Sequence, residues 1–206
     1  LSLRTKGGVA LPPAEFALRL QHGDGQPDRE RGEFSTDALD LRPLAQLAEF
    51  LPFPAGVRKR LDVADPRGSV HELKLTWQGQ LDAPAEFSLK GRFDALAMRA
   101  HQSLPGFSGL SGTVSATQRG GSVSVTAPLP AKPTMAGKGV LPPQVTLDLA
   151  GILSDGALRF DSVAGQVGWS FPASQVELKF TNVAFANAEM AGVLSGSHTG
   201  RAGAPG

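Results

Sequence analysis

Hydrophobic and polar residues alternate with a period of two along most of this chain. In the clearest runs the apolar positions are Leu73, Leu75, Trp77, Phe87, Leu89, Val145, Leu147, Leu149, Val176, Leu178 and Phe180. Because successive side chains of a strand point to opposite faces of a sheet, each run predicts a strand with one apolar and one polar face. With turn signals between the runs, such as Arg119-Gly120-Gly121, the pattern predicts about nine or ten strands and an all-β fold.

One segment departs from the two-residue period. After Asp40, the residues Leu44, Leu47, Ala48 and Leu51 fall at helical spacing. Asp40 is a suitable N-cap, because its carboxylate can accept a hydrogen bond from a backbone N–H of the first turn. We expect a helix over residues 41–51, ended by the prolines that follow, and a second short turn over residues 57–61. The chain therefore carries a short helical insertion near residues 41–62.

This pattern divides the chain into three sections. Residues 1–40 form a β section that continues an upstream sheet, residues 41–67 form the helical insertion, and residues 68–206 form a β section that continues beyond the sequence given. The start at Leu1 and the glycine-rich end indicate a piece of a longer protein. No run of about 18 apolar residues predicts a membrane span, and no signal peptide precedes the first strand.

The composition agrees with short strands joined by many turns. The chain has 25 Gly and 16 Pro, and 41% of its residues are hydrophobic, which is too many for a disordered protein. Its 20 basic and 19 acidic residues give a net charge of +1, and they form no basic stripe. Nucleic acid is therefore not an expected partner.

The residues that usually carry chemistry do not form a catalytic or metal-binding pattern. The chain has no Cys, and its four His lie in different sections without ligand spacing. His71-Glu72 begins like the zinc motif His-Glu-x-x-His, but Leu75 stands where the second His is required. We therefore expect no catalytic residue, no metal site and no cofactor.

Four stretches of sequence carry a resemblance to a known family. They are residues 39–52 (LDLRPLAQLAEFLP) with the turn at 65–68 (DPRG); residues 104–112 (LPGFSGLSG) followed by Arg119-Gly120-Gly121; residues 145–149 (VTLDL), 158–161 (LRFD) and 165–169 (GQVGW); and residues 180–182 (FTN) followed by 186–189 (ANAE). The second stretch is the most specific. In this order and spacing they resemble the YhdP branch of the AsmA-like proteins over nearly the whole chain.

The resemblance implies a large, non-enzymatic periplasmic protein, anchored in the inner membrane by a helix outside this sequence. It implies a long, curled antiparallel sheet with an open hydrophobic groove, which carries phospholipid between the inner and outer membranes. Phospholipid acyl chains are the implied partners, and the partner proteins at the two ends are not specified. We expect the apolar residues of the alternating runs, named above, to line the groove.

Two other functions fit the same sequence. The sheet could be an assembly scaffold like that of the related TamB proteins, guiding other chains by strand pairing. It could also be a closed β-sandwich that binds carbohydrate through Trp77 and Trp169, although buried core aromatics are the commoner role of such residues. A closed sandwich would use as its core the same residues that line an open groove.

Overall fold

The computed structural model describes residues 3–4, 10–11, 15–21, 30–50, 53–81, 83–101, 105–126, 145–148, 156–172 and 175–201. Within these ranges the chain forms thirteen strands and two helices. In chain order they are β1 (Leu3–Arg4), β2 (Ala10–Leu11), β3 (Phe16–Gln21), β4 (Arg31–Asp40), α1 (Leu41–Leu47), α2 (Ala55–Ala64), β5 (Arg67–Gln78), β6 (Glu86–Met98), β7 (Gly106–Thr117), β8 (Gly120–Val125), β9 (Val145–Asp148), β10 (Ala157–Phe160), β11 (Ser162–Ser170), β12 (Gln175–Ala186) and β13 (Ala191–Arg201). The predicted all-β class is confirmed.

Eleven of the strands form one large antiparallel sheet, while β1 and β2 pair with each other separately. From edge to edge the order is β3, β4, β5, β6, β7, β8, β11, β12 and β13. The strands thus follow one another across the sheet almost in sequence order. Among the described strands, β3 and β13 end the sheet without pairing with each other. This confirms the predicted open antiparallel sheet.

The strands β8 and β9 lie end to end in a single row of the sheet. β7 pairs with β8 through residues 112–117 and with β9 through residues 106–108. On the other side, β11 pairs with β8 and β10 pairs with β9. β10 and β11, separated only by Asp161, therefore form the next row, and the sheet has nine rows. Residues 127–144, between β8 and β9, lie outside the described residues.

The predicted helical insertion is confirmed, with different bounds. Asp40 is the N-cap of α1, and its Oδ1 accepts a hydrogen bond of 3.2 Å from the backbone nitrogen of Arg42. α1 ends at Leu47 rather than at Leu51, and the segment expected as a short turn over residues 57–61 is a longer helix, α2. Because β4 pairs directly with β5, the sheet continues past the insertion.

Asp65 connects the end of α2 to two strands. It is the C-cap residue in the left-handed conformation, with φ 41°. Its Oδ2 accepts hydrogen bonds of 2.8 Å from Nη2 of Arg67, in β5, and of Arg99, just after β6. The backbone nitrogen of Arg99 also donates to the carbonyl oxygen of Ala64 at 2.9 Å. The Asp65-Pro66-Arg67-Gly68 turn therefore fixes the end of α2 to the start of β5 and the end of β6.

A β-bulge interrupts the pairing of β6 with β7. The flanking pairs are Phe93 with Gly112 and Leu96 with Leu110, so three steps of β6 lie opposite two steps of β7. The bulged part of β6 includes Ala95, which has a φ of 50°. The backbone nitrogen of Ala95 donates to the hydroxyl of Ser111 at 3.0 Å. The serine thus accepts the hydrogen bond of an N–H that the bulge removes from the ladder.

The same arrangement recurs between β12 and β13. The flanking pairs are Phe180 with Gly196 and Val183 with Leu194, again three steps opposite two. Asn182 has a φ of 48°, and its backbone nitrogen donates to the hydroxyl of Ser195 at 2.9 Å. Both serines stand in the sequence Leu-Ser-Gly. The two hairpins are therefore structural repeats of one another.

Candidate functional site

One face of the large sheet carries mainly apolar side chains. We call it the apolar face and define it by one line of successive cross-strand partners: Leu18, Phe34, Leu75, Leu89, Ala116, Gly121, Trp169, Leu178 and His198. Directly paired residues share a face, and the next line, two residues along each strand, shares it too. With strands about 4.8 Å apart, nine rows extend over roughly 38 Å.

The residues predicted from the alternation lie on this face, apart from Leu149, which is outside the described residues. Leu73, Leu75 and Trp77 belong to β5, Phe87 and Leu89 to β6, Val145 and Leu147 to β9, and Val176, Leu178 and Phe180 to β12. Leu75 pairs with Leu89, and Trp77 pairs with Phe87. The register therefore brings together residues that are far apart in the sequence.

The short strands β9 and β10 join the apolar face through a pair of phenylalanines. Phe185 lies on the same face of β12 as Phe180, because their partners Gly192 and Gly196 share a face of β13. The ring of Phe160 contacts that of Phe185 edge-on, with a centroid separation of 5.6 Å. Phe160 pairs with Val145, and Leu147 lies two residues further along β9 on the same side. The apolar face is therefore continuous across the row that β8 and β9 share.

Exposure on the apolar face changes from the middle of the sheet to its edges. Phe93 and Val145 are only 3% and 1% exposed, whereas Leu18 in β3 is 55% exposed and Leu194 in β13 is 49% exposed. Most apolar side chains between these extremes are half-buried. A contiguous apolar surface that water still reaches is typical of a binding surface for apolar ligands or partners.

The opposite face is polar and carries ion pairs between neighbouring strands. The Glu33 carboxylate lies 3.1 Å from Nζ of Lys74 and 3.6 Å from Nη1 of Arg19. Arg92 and Glu72 form another pair at 3.5 Å. The hydrogen bond from Lys74 and the lysine charge lower the pKa of Glu33, which keeps that carboxylate ionised. Charge is thus segregated to the face opposite the apolar one.

Three aromatic rings of the apolar face lie across from glycines on the neighbouring strand. Trp77 pairs with Gly32, Trp169 with Gly121 and Phe185 with Gly192. A Cβ added at Gly32 would overlap ring atoms of Trp77; one added at Gly121 would lie 2.5 Å from Trp169, and one at Gly192 would lie 2.8 Å from Phe185. The rings therefore lie against the glycine backbone. Sequence reasoning missed these pairs because they depend on the register between strands.

The described structure also contains two shallow clefts. A shallow cleft of about 420 Å³ lies between β3, β4 and β5 and is lined by both polar and apolar residues, and another of about 510 Å³ lies between α1 and α2. In the described ranges no three His, Asp or Glu side chains are placed to hold a metal ion. Neither described helix has the length and hydrophobicity needed to cross a membrane.

Comparisons with known proteins place the chain in a family. Searches of the curated proteins and of the solved structures gave no match. The family model described as YhdP protein matches residues 1–205, which is almost the whole chain. Membership in this family suggests a segment of a bridge-like lipid transport protein. The match agrees with the resemblance carried by the four sequence stretches, and the chain belongs to the YhdP family.

Proposed function

We propose that this chain is a segment of a periplasmic protein that carries phospholipid along its apolar face between the inner and outer membranes. The acyl chains lie on the apolar face while the head groups stay in water. The protein is held in the inner membrane by an anchor helix outside this sequence. In this proposal the chain binds and guides lipid without catalysing a reaction, and it needs neither a cofactor nor a metal.

The observation that carries the proposal is the line of cross-strand partners from Leu18 to Leu178, which crosses eight rows without a charged side chain. Exposing an acyl chain of ~16 carbons to water costs on the order of 10 kcal/mol, at about 0.8 kcal/mol per methylene. A carrier therefore needs an apolar surface without a charged interruption. The line from Leu18 through Leu75 to Leu178 supplies such a surface, and the ion pairs lie on the other face.

The proposal is tested with a photo-crosslinking side chain in the full-length protein in cells. One probe replaces Leu147, which pairs with Phe107 and Leu158 on the apolar face. The matched control replaces Lys179, an exposed residue of β12 on the polar face. Adducts are identified by mass spectrometry after irradiation. We expect phospholipid adducts at residue 147 and none at residue 179.

Protein adducts in place of lipid at residue 147 would support the assembly alternative. That alternative draws on the edges of the sheet, because β3 and β13 each have only one neighbouring strand in the described structure. An edge strand offers unpaired backbone groups to another chain. If a folded, reactive probe at residue 147 captured no phospholipid, the carrier proposal would be wrong.

A further inference from the structure

Trp77 is one of the two tryptophans on the apolar face, and it is only 8% exposed. Its strand neighbour Leu75 and the cross-strand residue Leu18 are both more accessible. The indole reaches this burial because its partner on β4 is Gly32, which has no side chain. All three atoms nearest to an added Cβ at Gly32 belong to the Trp77 ring. The ring thus lies on the backbone of β4 instead of standing upright from the sheet.

We propose that Gly32 is a positioning residue, which keeps the Trp77 indole flat against the sheet so that the ring stays out of the lipid track. This inference rests on the proposed function. An indole held upright would stand in the space above the sheet, where an acyl chain has to pass. A flat indole, which is only 8% exposed, leaves that space free for the passing chain. The residue at position 32 therefore determines whether position 77 supports lipid passage or obstructs it.

The distances around Gly32 indicate how far one added methyl group would displace the Trp77 ring. Carbon atoms in ordinary contact are about 3.5–4.0 Å apart, whereas an added Cβ at Gly32 would overlap Cζ2 and Cε2 of Trp77. Restoring contact distance requires the ring edge to lift by roughly 1–2 Å. No backbone atom is among the three atoms nearest to that Cβ. The ring, rather than the sheet, is therefore the part that moves.

Two other glycines of the apolar face show why Gly32 is the position to test. Gly121 also faces an indole, that of Trp169, but a Cβ there would lie 2.5 Å from the carbonyl oxygen of Ser115 and would disturb the sheet itself. Gly196 pairs with Phe180, and a Cβ there would have no atom within 4 Å. Gly168→Ala is the matched control, because Gly168 pairs with Lys179 on the polar face and a Cβ there would lie no closer than 3.7 Å to another atom.

The experiment places a short diazirine side chain, close to leucine in size, at residue 75 of the full-length protein in cells. Phospholipid adducts are compared between the native sequence, Gly32→Ala, Gly32→Ala with Trp77→Leu, and Gly168→Ala. We expect a several-fold loss of adduct in Gly32→Ala, recovery in the double variant, and no change in Gly168→Ala. Recovery is expected because a leucine at residue 77 leaves room for the methyl, as Leu75 does beside Phe34.

The outcomes separate this inference from the proposed function. If the native sequence gave no phospholipid adduct at residue 75, the carrier proposal would be overturned. If the native sequence and Gly32→Ala gave equal adducts, the carrier proposal would stand and the role of Gly32 would be overturned. If Gly32→Ala lost adducts and Trp77→Leu did not restore them, the methyl would act through the sheet, which also contradicts the role of Gly32.

Discussion

The hydroxyl oxygen of Ser195 lies 2.9 Å from the backbone nitrogen of Asn182 and accepts its hydrogen bond across a bulge. Ser111 does the same for Ala95 at 3.0 Å, four rows away in the sheet. Bulges increase the local twist of a sheet and bend the strand that carries them. Two bulges with the same register and the same serine therefore give the sheet two matched bends.

Ser111→Ala is expected to destabilise the sheet by about 0.5–1.5 kcal/mol, because the Ala95 N–H loses its acceptor. Equilibrium unfolding of the 206-residue chain in denaturant measures the difference. Ser115→Ala is the control, since Ser115 is an exposed residue of the same strand, outside the bulge. Equal stability of the Ser111 and Ser115 variants would show that the hydroxyl does not support the bulge.

Gly112→Ala and Gly196→Ala are expected to differ in their effect on stability, although the two glycines hold equivalent positions in the two hairpins. A Cβ at Gly112 would overlap the carbonyl oxygen of Ser124 in β8, whereas one at Gly196 has open space around it. We expect Gly112→Ala to destabilise the chain by about 1–3 kcal/mol and Gly196→Ala to change it little. Thermal unfolding of both variants tests this, and a larger loss for Gly196→Ala would contradict the register of β13.

Asp65→Asn is expected to weaken the junction between α2, β5 and β6, by less than about 1 kcal/mol because the pair is partly exposed. Asparagine tolerates the left-handed conformation of this C-cap, so the substitution removes the charge without adding backbone strain. The free energy of unfolding at neutral pH measures the loss.

The same carboxylate makes a pH-dependent contribution to stability. The hydrogen bond from Arg67, with the charges of Arg67 and Arg99, lowers the pKa of Asp65 below its ordinary value of 3.8. A group with a lowered folded-state pKa stabilises the protein above its unfolded pKa, and that stability is lost as the pH falls through the folded pKa. The difference between the native chain and Asp65→Asn should therefore shrink as the pH drops below about 3.8. A difference that grew on acidification would contradict this.

Leu147→Asp is expected to block lipid passage while the sheet remains folded. The charge falls on the apolar face between Phe107 and Leu158, where an acyl chain cannot solvate it. Phospholipid crosslinking or transport in cells measures the effect, and circular dichroism checks the fold. Lys74→Ala is the control on the polar face, where the exposed Lys74–Glu33 pair contributes little. Normal lipid flow in Leu147→Asp would count against the carrier proposal.

Alternation along the sequence predicted the apolar and polar faces because it depends only on the neighbours of each residue within a strand. The N-cap at Asp40 was predicted for the same reason, since its hydrogen bond to Arg42 spans two residues. Whether that apolar face lines a lipid groove stays a prediction.

Features that depend on pairing between distant segments were not predictable from local pattern. The bulges at Ala95 and Asn182 use non-glycine residues with positive φ, which carry no sequence signal of their own. The alignment of β8 and β9 in one row depends on their shared partner β7. The predicted nine or ten strands became thirteen because β1, β2 and β13 lie outside the alternating runs. α1 ended at Leu47, earlier than predicted, because residue spacing alone does not distinguish the turn over residues 48–50 from a further turn of helix.

The nearly sequential strand order has a consequence for folding. Most strands pair with the strand that precedes them, so each new hairpin can add to an edge that already exists. Such local pairing lowers the contact order and favours fast folding. The pairing of Val125 with Gly165 is different, because a loop of about 40 residues must close before the two strands meet. We therefore expect closure of the β8–β11 contact to be the slow step, with the sheet growing outwards from two separately formed halves.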